Sequence, residues 1–283
     1  MATKTDVTLF RQMTATRNTA ARSTAGPADL LERPLAARSV IGSLLLGVHP
    51  PRLPGARIVE WCTRFGIAEG TARVALSRMV DRGELTTEHG EYELAGRVRG
   101  LQPAQDWSLD PKPTRWRGSW RFAVVDGAAR DAGARTSLRQ AMRRVRFAEL
   151  REGVWTRPDN LPAASAPAEA WSVVEAQCSW WSATPDGDPQ DLAATLFAPD
   201  AWAGRARVLV QHIAGHTDAL VAGDDNALAP GFVAGAATLQ HARRDPLLPP
   251  ALLPADWPGA ELRSTYARFQ RAFASSLAAT FRR

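Results

Sequence analysis

The sequence predicts an α+β protein with three folded units behind an N-terminal tail. Residues 35–100 carry a helix–turn–helix pattern followed by a hairpin, and residues 115–188 alternate strand and helix signals. Residues 189–283 show helical periodicity alone, and the proline-rich residues 101–114 read as a linker. We therefore expect an N-terminal winged helix-turn-helix, a ferredoxin-like middle domain and an all-helical C-terminal domain. Residues 1–34 are rich in Ala, Thr and Arg and predict a disordered tail.

The first unit opens with a predicted helix from Ala37 to Gly47. Three prolines at positions 50, 51 and 54 break the chain after it. A second helix follows, in which Ile58, Cys62 and Phe65 recur at helical spacing and Trp61 lies beside them. Gly66 marks its end, since glycine is common just beyond a helix C-terminus.

The next helix has an apolar side and a polar side, as a DNA-reading helix requires. Ala72, Leu76, Met79 and Val80 form the apolar side. Amide groups at a helix N-terminus suit phosphate oxygens, and an arginine can donate to both acceptors on a guanine edge. The residues predicted to face DNA are Gly70, Thr71, Arg73, Ser77 and Arg78.

Two short strands after this helix predict the wing. His89-Gly90 is the expected turn between Thr86-Thr87 and Tyr92–Leu94. Glu88 and Glu91 make the wing tip acidic, so we expect shape and His89, more than charge, to be its contribution to binding. The alternative interpretation is a small helical subdomain whose arginines are simply solvated.

The middle unit predicts a split βαβ sheet. Arg121–Val125 is a short apolar run typical of a strand, and the helix after it repeats at Ala134, Leu138, Met142 and Val145. A hairpin from residues 147–150 to 154–157 and a strand over 173–181 complete the pattern, with a second helix expected within residues 161–170. Three tryptophans in the predicted strands are expected in the core: Trp120, Trp155 and Trp181.

The last unit predicts three helices, over residues 202–221, 232–243 and 262–277. Residues 223–230 and the proline-rich residues 245–259 separate them.

Composition restricts the possible partners and compartment. Residues 101–160 hold 12 basic against 7 acidic side chains, whereas residues 161–283 hold 9 against 12, so the positive charge lies toward the front of the chain. No apolar run approaches the roughly 20 residues that span a bilayer, and no secretory leader is recognisable. The two cysteines, Cys62 and Cys178, favour a reducing compartment. We expect a cytoplasmic protein that binds no membrane.

Four stretches in this order resemble the PaaX-like family of bacterial repressors of phenylacetate degradation. They are Arg38-Ser39, the run from Thr71 to Met79, the run from Glu149 to Pro158 (ELREGVWTRP), and the run from Arg244 to Gly259 (RDPLLPPALLPADWPG). The match spans about residues 37–275.

The resemblance implies a homodimeric repressor that binds double-stranded operator DNA and responds to an aryl- or acyl-CoA thioester such as phenylacetyl-CoA. It implies that the middle domain helps to dimerise. Under this interpretation His241, Arg243 and Arg244 are candidates for holding the anionic phosphates of the effector. An arginine pair that complements the helix macrodipole is the simpler alternative for the last two residues.

The sequence also leaves an enzymatic alternative. Asp126 ends the first strand of the middle unit, where related ferredoxin-like nucleases hold a catalytic metal, although an aspartate there also suits a helix cap. His212 and His216 share a helix face, yet the spacing supplies no third ligand. We therefore expect no catalytic residue, metal or cofactor, and keep a metal-dependent nuclease as the second hypothesis.

Overall fold

The computed structural model describes residues 36–48, 50–99, 101–127 and 131–282. The predicted tail, residues 1–34, lies outside this part. Helices and strands follow one another in the expected order, and the predicted α+β class is confirmed.

The first unit has the winged helix-turn-helix topology. Its helices are α1 (Ala37–Gly47), α2 (Gly55–Thr63) and α3 (Glu69–Asp81), and its strands are β1 (Arg52–Pro54), β2 (Leu85–Glu88) and β3 (Glu91–Leu94). The strands pair antiparallel in the order β1-β3-β2, so the segment of prolines before α2 adds a third strand that the sequence had not indicated. The wing turn lies at His89 and Gly90, as predicted. Their φ angles of 50° and 81° are those of the two-residue turn that matches strand twist.

Part of the predicted linker is helical. After the short α4 (Gly96–Arg99), residues that the prolines had assigned to a linker form α5 (Leu101–Leu109). Pro103 falls in the first turn of α5, where the backbone N–H that proline lacks has no helical partner to lose. Trp107 and Ser108 on α5 are 9% and 2% exposed, so this segment belongs to the packed interior.

The middle unit has the ferredoxin-like order of elements. They are β4 (Trp120–Val125), α6 (Ala132–Arg144), β5 (Ala148–Arg151), β6 (Val154–Pro158), α7 (Ala168–Glu175) and β7 (Cys178–Ala183). The sheet is antiparallel throughout in the order β5-β6-β4-β7.

Three local predictions for the middle unit were wrong. The second helix covers 168–175 rather than 161–170, so residues 173–175 belong to it and the last strand begins at Cys178. The cap of α6 is Asp131, whose carboxylate accepts from the Ala134 amide at 2.7 Å, and not Asp126. Trp181 is 63% exposed, since successive side chains of a strand face opposite sides of the sheet and its neighbour Trp180 is the one packed against this core, whereas Trp120 and Trp155 are buried as expected.

The C-terminal unit is helical, with one helix more than predicted. It contains α8 (Pro189–Phe197), α9 (Pro199–Val221), α10 (Leu228–Ala242) and α11 (Gly259–Arg282). The additional helix, α8, carries a start signal in the sequence, since Asp188 caps it through the Gln190 amide at 2.7 Å and Pro189 occupies its first position.

The winged helix and the C-terminal helices share one hydrophobic core. Trp61 on α2 is fully buried, and its ring centroid lies 5.5 Å from that of Phe232 on α10 and 5.7 Å from that of Phe273 on α11. At the end of α11 the carbonyl oxygen of Phe281 accepts from Arg57 Nη2 at 2.5 Å. The winged-helix unit is therefore packed directly on the C-terminal unit.

A buried polar network joins the middle and C-terminal units. Arg157, 3% exposed, donates to the carbonyl oxygens of Val145 and Pro158 and to Asn160 Oδ1. Asn160 in turn donates to the carbonyl oxygen of Leu247, at 2.9 Å. Two of the stretches that carry the resemblance, residues 149–158 and 244–259, therefore meet in the interior.

Candidate nucleic-acid interface and ligand cavity

α3 presents a polar face to solvent. Its opposite face is buried, with Ala72, Leu76 and Met79 at 2% exposure or less. The face that remains accessible carries the five residues named from the sequence: Gly70, Thr71, Arg73, Ser77 and Arg78.

Val74 was missed by sequence reasoning. It is 50% exposed in the middle of α3, four residues after Gly70 and three before Ser77, and so lies on the same face. An apolar side chain there suits the methyl group of a thymine in the major groove. The signal was present in the sequence, because Val74 does not fit the spacing of the buried side.

Arg73 is held only weakly within the protein. Its Nη2 lies 3.4 Å from Glu69 Oε2, and both side chains are about two-thirds exposed, at 65% and 66%. Such an exposed pair contributes about 0.3–0.5 kcal/mol, so the guanidinium can exchange Glu69 for another acceptor at little cost.

The wing is less negative toward a ligand than its sequence indicates. Glu91 pairs with Arg52 of β1, with 2.5 Å between Oε2 and Nε. At the tip, the His89 side chain is 87% exposed, and its Nδ1 lies 3.7 Å from Glu88 Oε1. Because Arg52 neutralises Glu91, Glu88 is the acidic group that remains beside the exposed His89 at the turn.

An arginine-lined cavity of about 700 Å³ lies between the middle and C-terminal units. The ends of α5, α6, α8 and α10 converge on it, together with β5 and the start of α7. Its apolar wall includes Trp107, Phe147, Trp155 and Phe197. Five arginines line it, Arg143, Arg144, Arg146, Arg243 and Arg244, against two carboxylates, Glu149 and Glu169.

Arg146 gives this cavity a buried positive charge. It is 7% exposed and has a φ of 67°, a conformation that few arginines adopt. Nη2 donates to Ser108 Oγ and Nη1 to the Arg144 carbonyl oxygen, both at 3.1 Å, while Nε finds no hydrogen-bond acceptor among the residues that the structure describes. The guanidinium also stacks over the Trp107 ring, 4.7 Å from its centroid.

The charge of Arg146 is poorly compensated. Burial lowers its pKa to about 10, and the carboxylate that opposes this shift belongs to Asp245. Asp245 is already committed, since its Oδ2 lies 2.5 Å from Arg263 Nη2. A buried cation with an unsatisfied donor next to a cavity favours an anionic occupant.

The predicted ligand residues separate in the structure. Arg243 and Arg244 line the cavity. Burial and the nearby Arg144 lower the pKa of Arg243, and its guanidinium makes no ion pair within the described part of the chain. His241 does not line this cavity: its ring stacks on Trp202 at 4.5 Å, and its Nε2 donates to the Trp202 carbonyl oxygen at 3.0 Å. The structure therefore does not bring His241 together with Arg243 and Arg244 at this cavity.

The geometry around Asp126 does not resemble a metal centre. Its Oδ1 accepts from Ser179 Oγ at 2.9 Å, a contact that links the ends of β4 and β7. Among the residues that the structure describes, no three His, Cys, Asp or Glu side chains cluster as metal ligands would. His212 and His216 therefore belong to no such cluster within the described residues.

Three family models match the chain in order along its length. They are "PaaX-like protein" over residues 36–98, "PaaX protein central Cas2-like domain" over 113–190 and "PaaX-like protein C-terminal domain" over 217–283. The chain belongs to the PaaX-like family. As a PaaX-like protein it is a transcriptional regulator.

A solved structure supports the same assignment. The chain is 38% identical to the uncharacterized protein Rv0674 from Mycobacterium tuberculosis, with a TM-score of 0.64 over 87% of this chain and 98% of that one. No curated protein matches the chain. Within the described ranges, no helix of this PaaX-like protein is long and apolar enough to cross a bilayer.

Proposed function

We propose that this PaaX-like regulator is a repressor that binds operator DNA of a catabolic operon and is released by an aryl- or acyl-CoA thioester. The observation that carries the proposal is the arginine-lined cavity, with the buried Arg146 at its wall, in a protein that also exposes a recognition helix. In this proposal the winged helix binds the operator, and the cavity between the middle and C-terminal units binds the anion.

The DNA-binding half of the proposal rests on α3. An α-helix fits the major groove of B-DNA, and the exposed face of α3 carries an arginine and Val74, residue types that contact base edges. Gly70 near the start of α3 has no neighbouring atom within 4 Å of where a side chain would begin, so a phosphate can approach the backbone closely.

We expect Arg73→Ala to weaken operator binding by about 1–3 kcal/mol, because one bidentate contact to a guanine edge is lost. Discrimination between operator and random duplex should fall with it. Fluorescence anisotropy with both duplexes measures the two effects. Arg271→Ala removes an arginine from an exposed position of α11, so it is the matched control and should leave both unchanged. If the folded Arg73→Ala variant binds the operator as tightly as wild type, α3 is not the helix that contacts the operator bases.

The effector half rests on charge and shape together. A CoA thioester carries several phosphate charges at one end, and five arginines line the cavity. Its volume, about 700 Å³, is within the range of ligand pockets, and its aromatic wall can bury the apolar parts of such a molecule. The alternative of a helix-end arginine pair does not account for Arg146, which is neither at the end of α10 nor paired with a carboxylate of its own.

The first test uses duplexes tiled across the DNA upstream of the protein's own gene and of neighbouring catabolic genes. The repressor hypothesis expects one duplex to be shifted intact by nanomolar protein without added metal. Duplex cleavage that requires a divalent metal and disappears in Asp126→Ala would instead support the nuclease alternative.

We further expect a homodimer bound to an inverted repeat, as the family resemblance implies. On the two edge strands of the middle sheet, β5 and β7, Leu150 is 41% exposed and Trp181 is 63% exposed. Large apolar side chains exposed in this way are typical of a surface that a second subunit covers. Half-site centres should lie about one helical turn apart or a multiple of it. Light scattering at the concentration that saturates the operator tests this, and a monomer there would contradict it.

A further inference from the structure

A second cavity, of about 540 Å³, lies where the winged helix meets the C-terminal helices. One wall is α1, and the other walls are α10 and α11. Most of the side chains that line it are apolar, among them Leu44, Phe232, Leu239, Phe269 and Phe273. None of the residues described as lining it is acidic. The cavity is thus suited to an apolar group rather than to a cation.

Arg243 connects the two cavities. It lines the arginine-lined cavity and also the second one, at the C-terminal end of α10. α5 also borders both cavities. Its residues Ala104 and Ser108 line the first cavity, and Gln105 lines the second. The two spaces therefore lie on either side of one helix, with an arginine that makes no ion pair in the described part of the chain at their junction.

We propose that the second cavity is the acyl subsite of the effector site, which takes the acyl or aryl group of a thioester whose phosphates lie among the arginines. The inference rests on the proposed function, since it divides one ligand between two spaces. Arg243 lies where the polar and apolar parts of that ligand join.

The aromatic side chains of the subsite favour an aryl group. Phe232 and Phe273 lie with ring centroids 6.0 Å apart, and Phe269 lies 5.5 Å from Phe273, so the three rings pack together as one aromatic wall. Gly235 allows Phe269 to pack close to α10, because a Cβ at that position would lie 2.6 Å from Phe269 Cε1. The subsite is therefore shaped by specific packing and not by loose side chains.

Occupancy of this subsite bears directly on the DNA-binding unit. Ser39, Ser43 and Leu44 of α1 line the cavity, and Val40, Ile41 and Leu44 on α1 share the hydrophobic core that holds α3. A group inserted between α1 and the helices α10 and α11 favours an arrangement in which the winged helix is displaced from them. The acyl group, rather than the nucleotide, is then the part of the effector that releases DNA.

The test fills the subsite from two sides and leaves the arginines unchanged. Ala236 on α10 and Ala274 on α11 line the second cavity, so the variants Ala236→Leu and Ala274→Leu each fill part of it. The matched control is Ala278→Leu, because Ala278 lies one turn further along α11 and outside the lining. Calorimetry with phenylacetyl-CoA and with free CoA measures binding, and anisotropy of labelled operator measures release.

We expect wild-type protein to bind phenylacetyl-CoA about tenfold or more tightly than free CoA, and only the thioester to release operator. Each filled variant should lose about tenfold in thioester affinity, with release shifted to match, and should keep its affinity for free CoA. Ala278→Leu should behave as wild type. Because Ala274 is exposed, its leucine variant remains informative even if Ala236→Leu does not fold.

The possible failures are distinct. Folded filled variants that bind and respond to phenylacetyl-CoA as wild type does would overturn the acyl subsite and leave the effector proposal standing. Equal affinity of wild type for free CoA and the thioester would also overturn it. A wild-type protein that binds no thioester would overturn the proposed effector, and the subsite with it.

Discussion

Asp245→Ala is expected to destabilise the protein by about 3–5 kcal/mol, because it leaves Arg263, whose side chain is 16% exposed, without its carboxylate. Asp245 is 1% exposed, and its two oxygens serve different partners. Oδ2 pairs with Arg263 Nη2 at 2.5 Å, and Oδ1 accepts from the Leu247 amide at 2.8 Å. Arg263 in turn donates to the Ser108 carbonyl oxygen at 3.1 Å, next to the side chain that supports Arg146.

Urea unfolding of three variants separates this effect from the loss of any ion pair. Asp256→Ala removes a pair of the same length, 2.5 Å to Arg207 Nη2, but its partners are 43% and 76% exposed, so it should cost less than about 1 kcal/mol. Asp245→Asn keeps an acceptor for the Leu247 amide and should fall between the two. Equal losses for Asp245→Ala and Asp256→Ala would contradict the account of the buried network.

Trp61→Ala should cost a comparable amount, about 3–5 kcal/mol, through the cavity left at the boundary between two units. Trp61 is fully buried and makes edge contacts with Phe65, Phe232 and Phe273. Its indole Nε1 has no hydrogen-bond partner in the described part of the chain, so Trp61→Phe removes volume but no hydrogen bond seen there and should cost clearly less.

Urea unfolding of both Trp61 variants, followed by two separate probes, measures this. Because the winged helix and the C-terminal helices share this core, we expect a single transition in wild type. A Trp61→Ala variant that loses less than about 1 kcal/mol would show that the two units are stable independently of this contact.

The parts of the fold that the sequence predicted are those with strong local signals. The prediction of the winged helix rested on glycines at helix ends and on a two-residue turn at His89 and Gly90. These glycines and both turn residues have the positive φ that such positions require. The sheet of the middle unit likewise followed from short apolar runs. α5 was missed because its proline signalled a break, although a proline in the first turn does not interrupt helical hydrogen bonding.

The ligand cavity could be predicted only in part. Arg243 and Arg244 were named from their place beside a proline-rich segment, but Arg146 lies almost a hundred positions earlier and joins them through tertiary packing alone. His241 was drawn into the same group by its neighbours in sequence. Its ring in fact packs on Trp202, from a helix that no local pattern places beside it.

The central claim is that thioester and operator DNA compete through the conformation of one regulator, and reciprocal titration tests it most directly. Operator affinity is measured by anisotropy with and without saturating phenylacetyl-CoA, and thioester affinity by calorimetry with and without operator. We expect each ligand to weaken the other by the same factor, about 5- to 100-fold, which corresponds to a coupling of about 1–3 kcal/mol. Operator affinity that does not change at saturating thioester would contradict the claim.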